Sequence, residues 1–256
     1  MLLTIDIGNT QTGVGLYSGS KLVCMWRLNT NLRDTADEIR VKLMSLLAQE
    51  GFGDIDVKLA SLASVVPQLT ESWCSALSDG LNAEIIVCTS ETASGLFKCK
   101  YPRPQEIGAD RVADAVAAKV LYGAPVVVVD LGTATNIEVI DADGFFIGGI
   151  IAPGVQTSAQ ALFSRASRLS DIDLVAPNNP IGISTETAIQ SGVVFGEADR
   201  IDGLVRRIFK QLGYETQVIA TGGLSSLISA YSSSITNVNP VLTIEGLRFI
   251  ADAASV

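Results

Sequence analysis

Asp6-Ile7-Gly8-Asn9-Thr10, at the end of the apolar run Leu2-Leu3-Thr4-Ile5, decides how the rest of the chain is read. A near copy, Asp130-Leu131-Gly132-Thr133-Ala134-Thr135, follows a second apolar run, Val126 to Val129. A short apolar run that ends in turn residues reads as a buried strand. Glycine at the turn lets the backbone approach a ligand closely. Backbone N–H groups and hydroxyls there can cradle phosphate oxygens, and the Asp at the strand end can hold a cation that neutralises them. One copy alone reads equally as a strand end capped by Asp and Thr. Its recurrence in the second half points to a phosphate site made by two similar halves facing a shared cleft.

Composition narrows the chemistry. The chain has 256 residues, 48% of them hydrophobic and 18% charged, enough for one large domain or two small ones of mixed α/β type. A net charge of −9 argues against nucleic acid as a partner, because a phosphate backbone needs a basic face. There is no histidine, which excludes Ser-His-Asp triads, histidine proton shuttles and histidine-ligated zinc. Acid–base work must then fall to carboxylates, Lys, Tyr, Cys or water. Cys24, Cys74, Cys88 and Cys99 form no C-x-x-C pair and read as reduced thiols of a cytoplasmic protein. Asp6 interrupts the first apolar run too early for a signal sequence, and no run is long enough to span a membrane.

Outward from the first motif, Val14 to Tyr17, the turn Ser18-Gly19-Ser20 and Leu22 to Trp26 read as an antiparallel meander. The motif therefore lies in a hairpin and does not lead into a helix, as a P-loop or Rossmann fingerprint must. Asp34-Thr35-Ala36-Asp37-Glu38 opens a helix whose apolar face is Ile39, Leu43, Leu46 and Leu47. Asp56 to Val66 reads as a strand, Pro67 begins a helix, and Ile85 to Val87 is a further strand. In the segment Tyr101 to Arg111, Pro102 and Pro104 favour extended backbone, Gly108 permits a bend, and a helix runs from Ala109 to Tyr122. Asp110 and Arg111 sit in its first turn. They read either as a carboxylate favoured by the helix dipole beside a solvated Arg, or as an oriented base and an anion clamp at the mouth of a cleft.

The second half repeats the plan. Strands are expected over Val126 to Asp130, Asn136 to Ile140 and Phe145 to Ile151, then a turn at Ala152 to Val155 and a helix from Gln156 to Leu169. Ser184 or Thr185 caps a long helix. Val218 to Thr221 is a strand ending in the turn Gly222-Gly223, and Val241 to Ala251 is a last helix. The halves divide near Gly123-Ala124-Pro125, which sets domains of 1–122 and 123–256, the C-terminal helices falling in the second.

With these residues in view, the chain resembles type III pantothenate kinases, within the superfamily of acetate and sugar kinases, heat-shock chaperones and actin. The resemblance runs nearly end to end, through both motifs, Thr35 to Glu38, Tyr101 to Arg111 with Gly108-Ala109-Asp110-Arg111, and Gly148 to Gly154. It continues through Ala188 to Gly192, Thr221 to Gly223 and Leu242 to Leu247. It implies two ribonuclease-H-like domains with mixed central sheets flanked by helices, the active site in the cleft between them, and a homodimer. It also implies ATP-dependent phosphorylation of pantothenate, the first step toward coenzyme A. Carried over, Asp6, Ile7, Gly8, Asn9, Thr10, Gln11, Thr12 and Gly13 would bind ATP, with Thr133 from the second half. Tyr101, Gly108, Ala109, Asp110, Arg111 and Thr185 would contact pantothenate, with Asp110 as proton acceptor. Asp130 would ligate a monovalent cation, potassium or ammonium, and Asp6 would hold Mg²⁺ of Mg-ATP through water. The chain departs from the family pattern at Asn136, where Thr is common, at Ser184, where Asn is usual, and at Glu197 and Ala198, where aromatic or glycine residues are more frequent.

Phosphoryl transfer needs positioning and charge neutralisation more than a strong base, which suits a chain without histidine. A helix N-terminus would lower the Asp110 pKa and make it a weak base. Two other readings share these residues: a superfamily kinase for another small hydroxyl or carboxylate substrate, and a non-catalytic regulator that binds nucleotide.

Overall fold

The computed structural model describes residues 1–165 and 172–254. They form two compact units: Met1–Ala117 together with the stretch from Leu242 onward, and Ala118–Val241. In the first unit the order is β1 (Leu2–Ile7), β2 (Gln11–Ser18), β3 (Lys21–Asn29), α1 (Ala36–Gln49), β4 (Leu59–Ser64), α2 (Pro67–Leu81) and β5 (Glu84–Val87). A 3-10 turn at Pro104–Glu106 and α3 (Ala109–Tyr122) follow. The sheet runs β3-β2-β1-β4-β5, with β1, β2 and β3 antiparallel and β4 and β5 parallel to β1.

Side chains alternate across a strand, and β1 shows the consequence. Leu3, Ile5 and Ile7 join Ile39, Leu43, Leu69 and Trp73 in the core beneath α1 and α2. Leu2 faces the other way and packs with Tyr17, Ile244 and Ala251. Asp6 therefore leaves the strand on the Leu2 face. α1 opens where expected, and Thr35 caps it through a capping box with Glu38, each side chain accepting from the other's backbone N–H.

The second unit repeats this order with β6 (Val126–Leu131), β7 (Ala134–Ile140), β8 (Phe146–Pro153), α4 (Val155–Arg165), α5 (Thr185–Leu212), β9 (Gln217–Thr221), α6 (Ser225–Ser229) and β10 (Asn237–Val238). Its sheet is β10-β9-β6-β7-β8, with β6, β7 and β8 antiparallel and β9 and β10 parallel to β6. Strand for strand this is the first unit's topology, so both have the expected ribonuclease-H-like arrangement. Val127, Val129 and Leu131 pack with Val194, Ala198, Ile201 and Val205 of α5. The expected helix from Gln156 to Leu169 is seen from Val155 to Arg165; its last residues lie outside the described ones.

The last helix, α7 (Leu242–Ala254), departs from the expected division. It belongs to the first unit, although it was expected in the second domain. The reason is tertiary. The Leu2 face of the first sheet needs an apolar cover, and α7 supplies it with Ile244 and Ala251. Gly15 makes room, since a Cβ there would stand 2.6 Å from the Ile244 side chain. Gly246 lets α7 rest directly on the Ala113 carbonyl of α3.

One buried charge holds the crossover between β9 and β10. Asp202 of α5 is 7% exposed and accepts hydrogen bonds from the Ser232 and Ser233 hydroxyls and from the Ser233 and Ser234 backbone N–H groups, at 2.6 to 3.0 Å. Burial alone would raise its pKa, but these donors hold it down at about 2. Such a group stabilises the fold above its unfolded pKa, and the contribution is lost as pH falls through the folded value. Stability is therefore expected to decline between about pH 4 and about pH 2 by about 1–2 kcal/mol from this group. In Asp202→Asn that part of the acid slope of urea midpoints should vanish; an unchanged slope would contradict it.

Candidate active site

The first loop is a hairpin bend between β1 and β2. Asp6, half-buried, pairs in register with Gly13 on one side and Ala63 on the other. The Gly8 N–H donates to the Gln11 carbonyl at 3.0 Å, and Asn9, Thr10 and Gln11 are exposed. Thr12 pairs with Ile7 across the hairpin, so its side chain lies on the core face, opposite Asp6. It is 2% exposed, and its hydroxyl is 2.9 Å from that of Thr30. Thr30 donates its hydroxyl to the Gly8 carbonyl at 2.7 Å and its N–H to the Thr10 carbonyl at 2.9 Å. The Thr12 side chain thus braces the loop from behind instead of joining Thr10 on its surface. No sequence motif marks Thr30 for this task; it lies at the end of β3, and only the sheet brings it to Gly8.

The segment expected to bind substrate leads into α3. Tyr101 is 36% exposed, and Arg103 pairs with Glu106 at 2.8 Å across the 3-10 turn. The Val112 N–H donates to the Gly108 carbonyl, and the Arg111 N–H to the Asp110 carboxylate at 2.8 Å, so Asp110 satisfies one of the helix's first N–H groups. Despite that bond and the Arg111 guanidinium, the Asp110 pKa is raised, because burial outweighs both. This reverses the expectation from the helix N-terminus: desolvation exceeds the dipole, and Asp110 is a better base than an ordinary carboxylate. Arg111 is itself only 9% exposed. Beneath them the Cys88 thiol donates to the Ala109 carbonyl at 3.4 Å. Burial first, then the fields of Asp110, Asp6 and Asp114, push its pKa to about 12. The fields of Asp6 and Asp110 both reach this one thiol, so the Asp6 loop and the start of α3 lie in one neighbourhood of the first unit.

Gly108 has a reason the sequence does not suggest. Its φ is not in the left-handed region, but a Cβ there would lie 2.6 Å from the Asp110 carboxylate oxygen. That carboxylate is the far end of a flexible side chain, so Gly108→Ala should turn it aside without unfolding α3. Turnover is expected to fall at least about tenfold with a melting temperature near wild type; unchanged turnover would show that the orientation of Asp110 is unimportant.

In the second unit Asp130 pairs with Asn136 and Thr221, as Asp6 does with Gly13 and Ala63. The bend is one residue shorter, and the Gly132 N–H donates to the Ala134 carbonyl at 3.0 Å. Thr133 is exposed, and its carbonyl accepts from the Gly154 N–H at 3.1 Å and the Thr157 hydroxyl at 2.7 Å. Gly154 fits because a Cβ there would run into the Gly132 and Thr133 carbonyls. Gly222, with φ +87°, brings the turn after β9 against the Asp130 carboxylate. Thr185 opens α5 and is exposed; Ser184 before it makes a complete cap with Thr187, so the departure from Asn keeps the helix start intact. Of the site residues expected from sequence, the first unit carries Asp6 to Gly13, Tyr101 and Gly108 to Arg111. The second carries Asp130, Thr133 and Thr185.

The model of the family described as type III pantothenate kinase matches residues 2–207. A type III pantothenate kinase of Roseiflexus sp. (strain RS-1) is 43% identical over 250 residues, covering 98% of each chain. The chain belongs to the type III pantothenate kinase family. Another member, from Thermomicrobium roseum, is 44% identical over 248 residues, 97% of this chain and 95% of that one. Among solved structures, an activator of 2-hydroxyisocaproyl-CoA dehydratase from Clostridium difficile, with bound ADPNP, superposes with a TM-score of 0.62. It is 15% identical, over 99% of this chain and 95% of that one, and shares the fold alone. Among the described residues, no helix is long and apolar enough to cross a membrane.

Proposed function

We infer that this chain transfers the γ-phosphoryl group of ATP to the primary hydroxyl of pantothenate, giving 4′-phosphopantothenate and ADP. The observation that carries the reading is similarity to type III pantothenate kinases along almost the whole chain. In the mechanism, the substrate hydroxyl oxygen attacks the γ-phosphorus while the bond to the β,γ-bridging oxygen breaks. Asp110 orients that hydroxyl and takes its proton, a task aided by its raised pKa. The Asp6 to Gly13 loop holds ATP phosphates with its backbone N–H groups and with Thr10, and Thr133 acts from the equivalent loop of the second unit. Thr12 contributes by bracing that loop. Tyr101, Gly108, Ala109, Arg111 and Thr185 are assigned to pantothenate.

Among the described residues, no group of three or more carboxylate, thiol or imidazole side chains is gathered to hold a metal. A half-buried carboxylate beside an exposed loop suits Mg²⁺, which keeps most of its waters, so Asp6 would hold it through water. Bound there, Mg²⁺ supplies neutralising charge to the ATP phosphates. Asp130 is assigned to potassium or ammonium; the recess at Gly222, which a Cβ would fill, supports a small ion beside its carboxylate. A homodimer is supported by apolar side chains exposed on the second unit, with Ile151 on edge strand β8 65%, Ile181 82% and Ile183 98% exposed. Four cysteines without disulfides support a reducing, cytoplasmic setting.

The test is ADP release by the purified protein with Mg-ATP, with and without pantothenate and potassium. Release that needs pantothenate, and that falls at least about tenfold when potassium and ammonium are withheld, is the expected result. ATP binding without pantothenate-dependent release would overturn the reading in favour of a regulator or another substrate. Light scattering at twice the monomer mass checks the dimer.

A further inference from the structure

We propose that Glu197 and Arg200 of α5 are positioning residues for the Thr133 loop, acting through Thr135 and the end of β8 to set the affinity for ATP. The proposal rests on the reading of that loop as an ATP-phosphate site. Thr135 opposes Leu131 across the β6–β7 hairpin, the register position that Thr12 holds opposite Ile7 in the first unit. Both threonines are 2% exposed and turn to the core face. Their partners differ. Thr12 meets the neutral Thr30 hydroxyl just after β3, whereas the Thr135 hydroxyl donates at 2.7 Å to Glu197, a carboxylate 5% exposed within the second unit.

Glu197 is paired with Arg200 one turn along α5, at 2.5 to 2.7 Å, and Arg200 donates to the Pro153 carbonyl at 2.8 Å. Pro153 directly precedes Gly154, whose N–H holds the Thr133 carbonyl. One carboxylate–guanidinium pair thus ties down both flanks of the loop: Thr135 two residues after Thr133, and the Pro153-Gly154 corner that supports Thr133 from below. With Glu197 buried and the Arg200 side chain 30% exposed, desolvation and solvent screening offset the pair's attraction, but its directional hydrogen bonds restrict geometry. An aromatic ring at position 197 could fill the space but offers no carboxylate to accept the Thr135 hydrogen bond. Rigid placement of groups that meet phosphate oxygens reduces the ordering cost of binding, so its loss should appear in ATP affinity and not in the hold on pantothenate.

The experiment is steady-state ADP release by the full chain, varying ATP and pantothenate separately, for Thr135→Val, Glu197→Gln, the double variant and Thr133→Ala, with a melting curve for each. Thr135→Val keeps the side-chain shape; Glu197→Gln keeps an acceptor but breaks the ion pair. Each single change is expected to raise the ATP KM about tenfold and leave the pantothenate KM within about twofold. The double variant should be worse than either single, because one change frees the Thr135 flank and the other the Pro153-Gly154 flank. If Thr133→Ala raises the ATP KM while neither single change moves it beyond twofold, the proposal fails and the loop assignment stands. If Thr133→Ala also leaves the ATP KM unchanged, the loop assignment fails and takes the proposal with it. An equal rise in both KM values that follows a lowered melting temperature would show a structural role only and would overturn the proposal.

Discussion

Asp110→Asn is expected to lower turnover by about 10²–10⁴-fold while the ATP KM changes little. The amide can still accept the Arg111 N–H bond that the carboxylate accepts at 2.8 Å, so the start of α3 keeps its geometry. What it loses is the basic oxygen proposed to take the substrate proton. The same change should raise stability at neutral pH. Burial raises the Asp110 pKa, so the folded state binds that proton more tightly than the unfolded chain does. A raised carboxylate pKa contributes stability that is complete below the unfolded value and is lost as pH rises through the folded one. At neutral pH the ionised group is a cost of the fold, and the amide removes it. Wild type should therefore melt below Asp110→Asn at pH 7, with the gap closing toward pH 4. The acid limb of the kcat profile should likewise lie above the ordinary Asp range. Unchanged kcat in the variant would remove Asp110 from the mechanism; a lower melting temperature at pH 7 would contradict the buried, ionised carboxylate.

Gly222→Ala is expected to cost about 2–4 kcal/mol, combining a left-handed conformation with overlap against backbone. Its Cβ would stand 2.6 Å from the Asp130 carboxylate oxygen and 2.7 Å from the Leu131 carbonyl group, at φ +87°. The strand end cannot yield, because Asp130 is paired on both sides, with Asn136 and Thr221. The carboxylate must turn, so on the proposal that Asp130 holds the monovalent cation the variant should also need more potassium for half-maximal rate. The neighbouring glycine is the control. A Cβ on Gly223 would meet nothing within 4 Å, and Gly223 does not have a positive φ, so Gly223→Ala should change stability by less than about 0.5 kcal/mol. Similar melting temperatures for the two variants would refute this account of Gly222.

The two glycines look alike in the sequence, and so do the two threonines opposite Ile7 and Leu131. The strands, the hairpin at each Asp-x-Gly motif and the capping box at Thr35 follow from residues a few positions apart, and such local chemistry is legible directly. The repeated strand-Asp-x-Gly pattern carries the two-unit plan for the same reason, because each copy is a complete local signal. The start of α3 at Ala109 was legible too, but not the basicity of Asp110. The helix dipole acts locally and predicts a lower pKa, whereas the burial that raises it comes from the surrounding fold. Thr12 and Thr135 take their roles from strand register, which turns them away from Asp6 and Asp130 and toward Thr30 and Glu197. Helix α7 joins the first unit because an uncovered sheet face needs apolar cover from the far end of the chain. The sequence by itself determined the elements, the two motifs and the carboxylates available for chemistry. Tertiary structure alone decided which groups are desolvated, which face each strand residue takes and what holds each loop, because these depend on contacts between residues far apart in the chain.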